Sequence, residues 1–372
     1  MKVLVYNDVN AHIGGAETFC HDLIAGAREK GHQVQFVSFR EKGMPRQRLI
    51  GKIRYVFSNQ LLQPSIIRAM AEAIAAFQPD VIHCHNNYAY TASVMYAIKR
   101  SKVPMIGTLH DFDLLAPFFQ APTPLRYLKK RQFRNILQQA QLITSPTHKL
   151  IRQLQPILGA KFTYLPLFVD FDRWPYQAKK HQNPPQIAFL GRIIPDKGIF
   201  VLLEAMKLLV KQFPEASLTY IGGGYELDGL KKLILFHGLD QHIRCTGYVS
   251  HEEVIRILNV SRFLVLPSIY EELFGLVGIE AQALGLPVIA ADRGGISEWC
   301  MHEQTGLLYA AQDAPQLAEY MALLLRDQDF AQKLSHQAYH HIKTHYSREN
   351  CISKLIGIYE QALVRGKKMS LE

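Results

Sequence analysis

Short runs of aliphatic and β-branched residues alternate with longer amphipathic stretches along nearly the whole chain, and the alternation starts afresh once. No other feature constrains the fold so strongly. Strands that alternate with helical periods build βαβ units, whose crossovers make parallel sheets. In the first half the strand candidates are residues 2–6, 34–39, 81–84, 105–109 and 142–144. Helical periods lie near 16–30, 65–77, 89–100, 125–140 and 147–155. The second half restarts at 187–190 and continues at 218–221, 243–246, 263–266 and 288–290. Between the halves, residues 173–186 carry Pro175, two lysines, His181 and Pro184-Pro185, a polar, proline-bearing break. The expectation is an α/β chain with two Rossmann-like domains, 1–180 and 181–346, closed by an amphipathic helical segment over 347–372. A length of 372 residues suits two domains of about 100–200 residues each.

Charge separates the halves. Residues 1–180 hold 24 Lys+Arg against 11 Asp+Glu, and the remainder holds 18 against 21, which together give the net +10. A basic surplus confined to one half predicts that this half meets something anionic. Arg126, Lys129, Lys130, Arg131 and Arg134 follow the apolar stretch 114–119, and Arg46, Arg48, Lys52 and Arg54 sit beside Tyr55 and Phe57. Basic helices with aromatic neighbours suit an anionic membrane surface, with Phe118 and Phe119 as interfacial anchors. The basic residues form no RNA- or DNA-reading motif, so nucleic acid is not the expected partner. Five cysteines are dispersed without CxxC or metal-ligand spacing and read as reduced core thiols. Met1-Lys2 runs directly into a strand, and no apolar stretch approaches the roughly 20 residues of a membrane span. The expected location is cytoplasmic, with peripheral attachment at the inner face of the membrane.

Several loops at strand ends are built for anions. Gly14-Gly15-Ala16-Glu17 follows the first strand and opens a helix, which leaves backbone N–H groups for phosphate. Gly191-Arg192 to Lys197-Gly198 follows the first strand of the second half. There a forked guanidinium and a mobile ammonium can neutralise charge on a departing diphosphate. Ile221-Gly222-Gly223-Gly224 ends another strand but lacks the GxGxxG spacing of a dinucleotide fingerprint, which argues against a dehydrogenase. Residues 267–281, PSIYEELFGLVGIEA, place Glu272 before a helix start and Glu280 within its first turns. Carboxylates so placed can grip two parts of a ligand whose phosphates lie between them. His110 closes the strand ending Thr108-Leu109, while His83 and His85 flank Cys84 at another strand end without the rest of a zinc site. Asp111-Phe112-Asp113 and Asp170-Phe171-Asp172 are short acidic strings and are read as non-metal.

The segment 267–281 closely resembles the paired-glutamate signature of retaining glycosyltransferases of glycosyltransferase family 4. That resemblance implies the GT-B fold: two Rossmann-like domains facing a central cleft, with the C-terminal helix crossing back to the first domain. It implies that Glu280 takes the donor ribose and Glu272 the transferred sugar, with the backbone of Leu273, Phe274, Gly275 and Leu276 near sugar and phosphates. By the same resemblance Arg192 and Lys197 hold the diphosphate, and Gly14, Gly15, Gly222 and Gly223 lie near the donor. Tyr248 and Val249 then lie near the base, and His110 near the donor sugar. No metal or cofactor is expected, the nucleotide diphosphate-sugar (UDP- or GDP-linked) being a co-substrate. The implied function is hexosyl transfer to a glycan or lipid-linked acceptor in cell-surface polysaccharide or glycolipid synthesis. A sugar-nucleotide 2-epimerase of the same architecture is the alternative, and a non-enzymatic anion-binding protein a more distant one. Relatives often carry Asn-Gly before the aspartate at the end of the first domain. Here Leu165-Pro166-Leu167-Phe168-Val169-Asp170 departs from that.

Overall fold

A computed structural model describes residues 1–7, 15–39, 62–85, 91–110, 139–158, 161–177 and 183–369. The chain forms two compact units, one of residues 1–166 with 351–372, the other of residues 167–350. The break at 173–186 marks where the polar composition changes. Packing divides the chain earlier because residues 167–174 already serve the second unit. Val169 donates its N–H to Tyr346 O at 2.8 Å, and Trp174 is buried in that unit's core.

The first unit is a six-stranded sheet in the order β2-β1-β3-β4-β5-β6. Its strands are β1 (Lys2–Asn7), β2 (Gln33–Val37), β3 (Val81–His85), β4 (Met105–Thr108), β5 (Leu142–Ser145) and β6 (Phe162–Tyr164). All five neighbouring pairs are parallel. Helices α1 (Gly15–Glu29), α2 (Pro64–Phe77), α3 (Thr91–Ser101) and α4 (His148–Leu158) supply crossovers. Register puts Asn7 opposite His85, His85 opposite Thr108, and Thr108 opposite Thr144. A row of polar residues therefore runs along the carboxyl ends of four adjacent strands.

The second unit is a six-stranded parallel sheet in the order β12-β11-β10-β7-β8-β9. Its strands are β7 (Gln186–Leu190), β8 (Ser217–Ile221), β9 (Ile243–Cys245), β10 (Phe263–Leu266), β11 (Val288–Ala291) and β12 (Leu307–Tyr309). They alternate with α5 (Ile199–Leu209), α6 (Leu227–Phe236), α7 (His251–Val260), α8 (Leu276–Ala283), α9 (Ala314–Arg326) and α10 (Gln328–His345). The chain runs from β7 out to β9, then returns to lay β10 on the other side of β7. Loops after β7 and β10 therefore diverge from adjacent strand ends, the switch point at which open α/β sheets take ligands. Two apolar layers cover the sheet, one with Leu202, Met206, Leu317 and Met321, the other with Phe274, Ile279, Trp299 and Ile342.

The last helix, α11 (Arg348–Met369), serves the first unit from Cys351 onward. Cys351, Ile352, Leu355, Ile358, Tyr359 and Ala362 are buried, a three-to-four-residue spacing that gives one apolar stripe. Ile352 fills the space above Gly26 of α1, and Cys351 Sγ donates to Pro166 O at 3.1 Å. Strands β6 and β12, three residues each, are absent from the sequence-based expectation. Among the described residues no helix is long and apolar enough to cross a membrane.

Candidate active site

In the second unit the loops after β7 and β10 meet through side chains. Lys197 ends the short 3-10 turn Pro195–Lys197, and its Nζ lies 2.6 Å from Glu272 Oε1. The same carboxylate oxygen accepts from Ser268 Oγ at 2.6 Å, and Oε2 accepts from Tyr270 OH at 2.6 Å. Lys197 Nζ also donates to Tyr270 OH at 3.1 Å and stands 4.7 Å from the tyrosine ring centroid. Glu272 is buried and Lys197 half-buried. Removing one partner from such a pair would strand a poorly solvated charge. Closed networks of this kind fix side-chain geometry more than they add stability.

Backbone contacts hold the two loops in register. Ile269 N donates to Asp196 O at 3.0 Å, and Gly295 N to Glu272 O at 2.7 Å. Gly198 has φ +70°, and a Cβ there would overlap the carbonyl oxygen of Pro267. A glycine is therefore required twice over, for its dihedral and for the closeness of the neighbouring loop. Gly275 caps α8, and the Phe274 carbonyl beside it accepts from Trp299 Nε1 at 2.6 Å. The buried indole thus fixes the turn that aims the α8 N-terminus, whose first N–H groups lack partners within the helix. Glu280 lies in the second turn of α8 and is half-buried.

The remaining second-unit candidates group around the β8 end. Gly222 N donates to Gly247 O at 3.0 Å, and Ile193 N to Gly223 O at 2.9 Å, which ties together the loops after β7, β8 and β9. Tyr248 is 81% exposed and lies over Gly223, where any side chain would strike its ring. Val249 is half-buried against the apolar layer containing Phe274. Arg192 is exposed and makes no hydrogen bond or ion pair among the described residues, a free guanidinium at the strand switch. Asp170 of the second acidic string accepts from Asp172 N at 3.0 Å, a local turn. Asp111 and Asp113 lie outside the described residues.

In the first unit the strand-end histidines meet. His85 Nδ1 lies 2.7 Å from His110 Nε2, and His85 Nε2 lies 3.3 Å from His83 Nδ1. His83 in turn reaches Tyr359 OH at 2.9 Å and Thr108 Oγ1 at 2.6 Å. Residues 83 and 85 share a face of β3 because side chains alternate along a strand. Burial holds all three imidazoles below their ordinary range: His83 to about 3, His110 to about 4, and His85 well down, helped by its two imidazole neighbours. They are neutral at physiological pH. Gly15 opens α1, while Gly14, Arg126, Lys129, Lys130, Arg131 and Arg134 lie outside the described residues.

Sequence reasoning missed Ser268, Tyr270 and Trp299, and the contact between His110 and His85. Ser268 and Tyr270 stand within the same short segment as Glu272, so their spacing was visible, though not their pairing with Lys197. Trp299, 25 residues beyond Phe274, left no local signal.

Known proteins agree with this architecture. Residues 13–173 match the family model for Glycosyltransferase Family 4, and residues 170–341 that for Glycosyl transferases group 1. A D-inositol 3-phosphate glycosyltransferase of Jonesia denitrificans is 29% identical over 78% of this chain and 74% of its own. A glycogen synthase of Mycobacterium tuberculosis is 25% identical over 79% of this chain and 71% of its own. The crystal structure of Anabaena HepE in complex with UDP superposes with TM-score 0.76 at 17% identity, covering 97% of this chain and all of that one. The chain is a glycosyltransferase of the GT-B fold.

Two outcomes follow from the geometry. Gly31 and Gly198 both have positive φ, but only Gly198 is crowded. Thermal unfolding should show Gly31→Ala costing about 1 kcal/mol and Gly198→Ala about 2–3 kcal/mol. Equal losses would mean that the approach of Pro267 is not confining. The histidines give a pH dependence. Unfolded, each takes a proton near pH 6.5, while the folded forms resist until about 3–4. Stability is complete above about pH 6.5 and falls as the pH drops toward the folded values. Hydrogen exchange of β3 should therefore quicken from pH 7 to pH 5 once corrected for intrinsic rates, and unchanged protection would contradict neutral burial.

Proposed function

We propose that this glycosyltransferase is a retaining, metal-independent member of family 4. It transfers a hexose from a UDP- or GDP-sugar to a hydroxyl of a glycan or lipid-linked acceptor. The observation that carries the proposal is the Lys197–Glu272 contact at the β7/β10 switch, with free Arg192 on the same loop. Fixed cations at that place offer the donor diphosphate what a divalent ion supplies in other sugar-nucleotide enzymes. UDP in the similar Anabaena structure supports a uridine donor.

In this reading the diphosphate lies against Arg192, Lys197 and the N–H groups of Leu276 and its neighbours at the α8 N-terminus. It draws Lys197 away from Glu272, whose carboxylate exchanges the ammonium for sugar hydroxyls. Glu280 takes the ribose, Tyr248 and Val249 flank the base over Gly222 and Gly223, and the backbone of Leu273, Phe274 and Gly275 borders the sugar. His110 would contact the donor sugar, and Gly14 and Gly15 would serve the phosphates. The acceptor hydroxyl attacks the anomeric carbon on the face from which the diphosphate departs. A leaving phosphate oxygen takes the hydroxyl proton as the glycosidic bond forms. The protein contributes positioning and charge stabilisation. The basic set Arg126, Lys129, Lys130, Arg131 and Arg134 would meet acceptor phosphate or the anionic inner face of the membrane, which fits a role in cell-surface polysaccharide or glycolipid synthesis.

Lys197→Ala and Glu272→Ala should each lower kcat about 100-fold or more in protein that stays folded, with a melting temperature lowered by the charge left unpaired. EDTA should leave turnover intact, and proton NMR should show the donor's anomeric configuration kept in the product. A near-wild-type rate in either variant would remove that residue's role. Rescue of EDTA-treated enzyme by Mn²⁺, or an inverted product, would overturn the mechanism. For the acceptor, vesicles containing phosphatidylglycerol should co-sediment the protein at low salt and release it at high salt. No binding at low salt would favour an acceptor free in solution.

A further inference from the structure

Tyr359, His83, His85 and His110 form a continuous hydrogen-bonded line from the last helix to the end of β4, and its proton directions follow from counting donors. Tyr359 is buried, and among the described residues its hydroxyl has one hydrogen-bond partner, His83 Nδ1 at 2.9 Å. A buried hydroxyl proton without an acceptor is costly, and burial raises this phenol's pKa so that the proton stays on oxygen. Tyr359 therefore donates, and Nδ1 of His83 carries no hydrogen. The His83 proton then sits on Nε2 and is donated to Thr108 Oγ1 at 2.6 Å, which can pass its own hydrogen to Thr144 Oγ1 at 2.6 Å.

The next link follows. His85 Nε2 lies 3.3 Å from the bare Nδ1 of His83, and two bare nitrogens facing each other would repel, so His85 carries its hydrogen on Nε2. Its Nδ1 is then an acceptor and receives a bond from His110 Nε2–H at 2.7 Å. His110 is left with a bare Nδ1, which bonds nothing among the described residues. All three rings are neutral, so the tautomers are not overwritten by protonation.

We propose that Tyr359, His83 and His85 are positioning residues that set the tautomer of His110, so that its Nδ1 presents a hydrogen-bond acceptor to a substrate hydroxyl. The proposal rests on the reading of His110 as a donor-site residue. The reverse arrangement would turn Nδ1 into a donor, able to meet an ether or phosphate oxygen but not to receive a hydroxyl proton. Tyr359 excludes the reverse, since the phenol would have nowhere to place its hydrogen. The last helix thus reaches the site chemically as well as by packing.

The test is the nitrogen spectrum of the histidines in the full-length protein at pH 7.5. His110 is assigned by the signal lost in His110→Ala. The expected result is a protonated Nε2 and a bare Nδ1 on His110, changing toward a protonated Nδ1 in Tyr359→Phe. That variant should stay folded, with a modestly lowered melting temperature, and lose about tenfold in kcat with little change in KM, the scale of one neutral hydrogen bond. A His110 protonated on Nδ1 in the unaltered protein overturns the proposal. So does a Tyr359→Phe variant with the tautomer and rate of the parent. If His110→Ala keeps full activity, the role of His110 fails instead, whatever the tautomer proves to be.

Discussion

Parallel pairing of every strand is the constraint on which the rest depends. In such a sheet all carboxyl ends open along one edge, and the loops leaving them diverge wherever the chain reverses its direction of travel across the sheet. In the second unit that reversal lies between β7 and β10. Their loops carry opposite charges, Lys197 and Glu272, and the sheet brings these within 2.6 Å although 75 residues separate them. The first unit reverses between β1 and β3, and there the strand ends carry His85 and, one strand further, Thr108 leading to His110.

The two edges hold their polar groups in different ways. In the second unit a formal ion pair stays near water and is tied by Ser268 and Tyr270, so its members can change partners without leaving a bare charge. In the first unit Tyr359, His83 and His85 are deeply buried, His110 is half-buried, and all are uncharged. Each pays its desolvation by bonding to the next, from Tyr359 through His83 and His85. A charged ring suits a ligand that brings charge of its own. A neutral line suits one that brings hydroxyls.

Much of this was legible in the sequence, and the limits have physical causes. Ten of the strands were legible as short apolar runs between helical periods, and the two missed, β6 and β12, are three-residue additions at sheet edges. Arg192, Lys197, Glu272 and Glu280 stood out because glycines and strand ends flank them. The pairing of Lys197 with Glu272 did not, since contact between distant loops is a property of strand order. The seam was placed by composition near residue 180. Packing sets it at 166 because Val169 and Trp174 are apolar groups that find their partners in the second unit. His83 and His85 were read as interior or cleft-edge residues because no zinc-spaced cluster follows them, but nothing local pointed to Tyr359, 276 residues beyond His83.

That distance bears on why the long helix α11 belongs to the first unit. A helix needed only to cover the sheet could be apolar along its whole inner stripe, as Ile352, Leu355 and Ile358 are. A buried tyrosine in that stripe costs the desolvation of its hydroxyl unless a partner waits for it. Here the partner is a histidine whose Nδ1 otherwise has only the longer 3.3 Å contact from His85, and each group lowers the penalty of the other. Phenylalanine would pack as well against the His83 ring, which Tyr359 meets edge-on at 5.5 Å. Packing alone therefore does not select tyrosine. A requirement for the hydroxyl proton does, and it ties the last helix to the chemistry at the ends of β3 and β4.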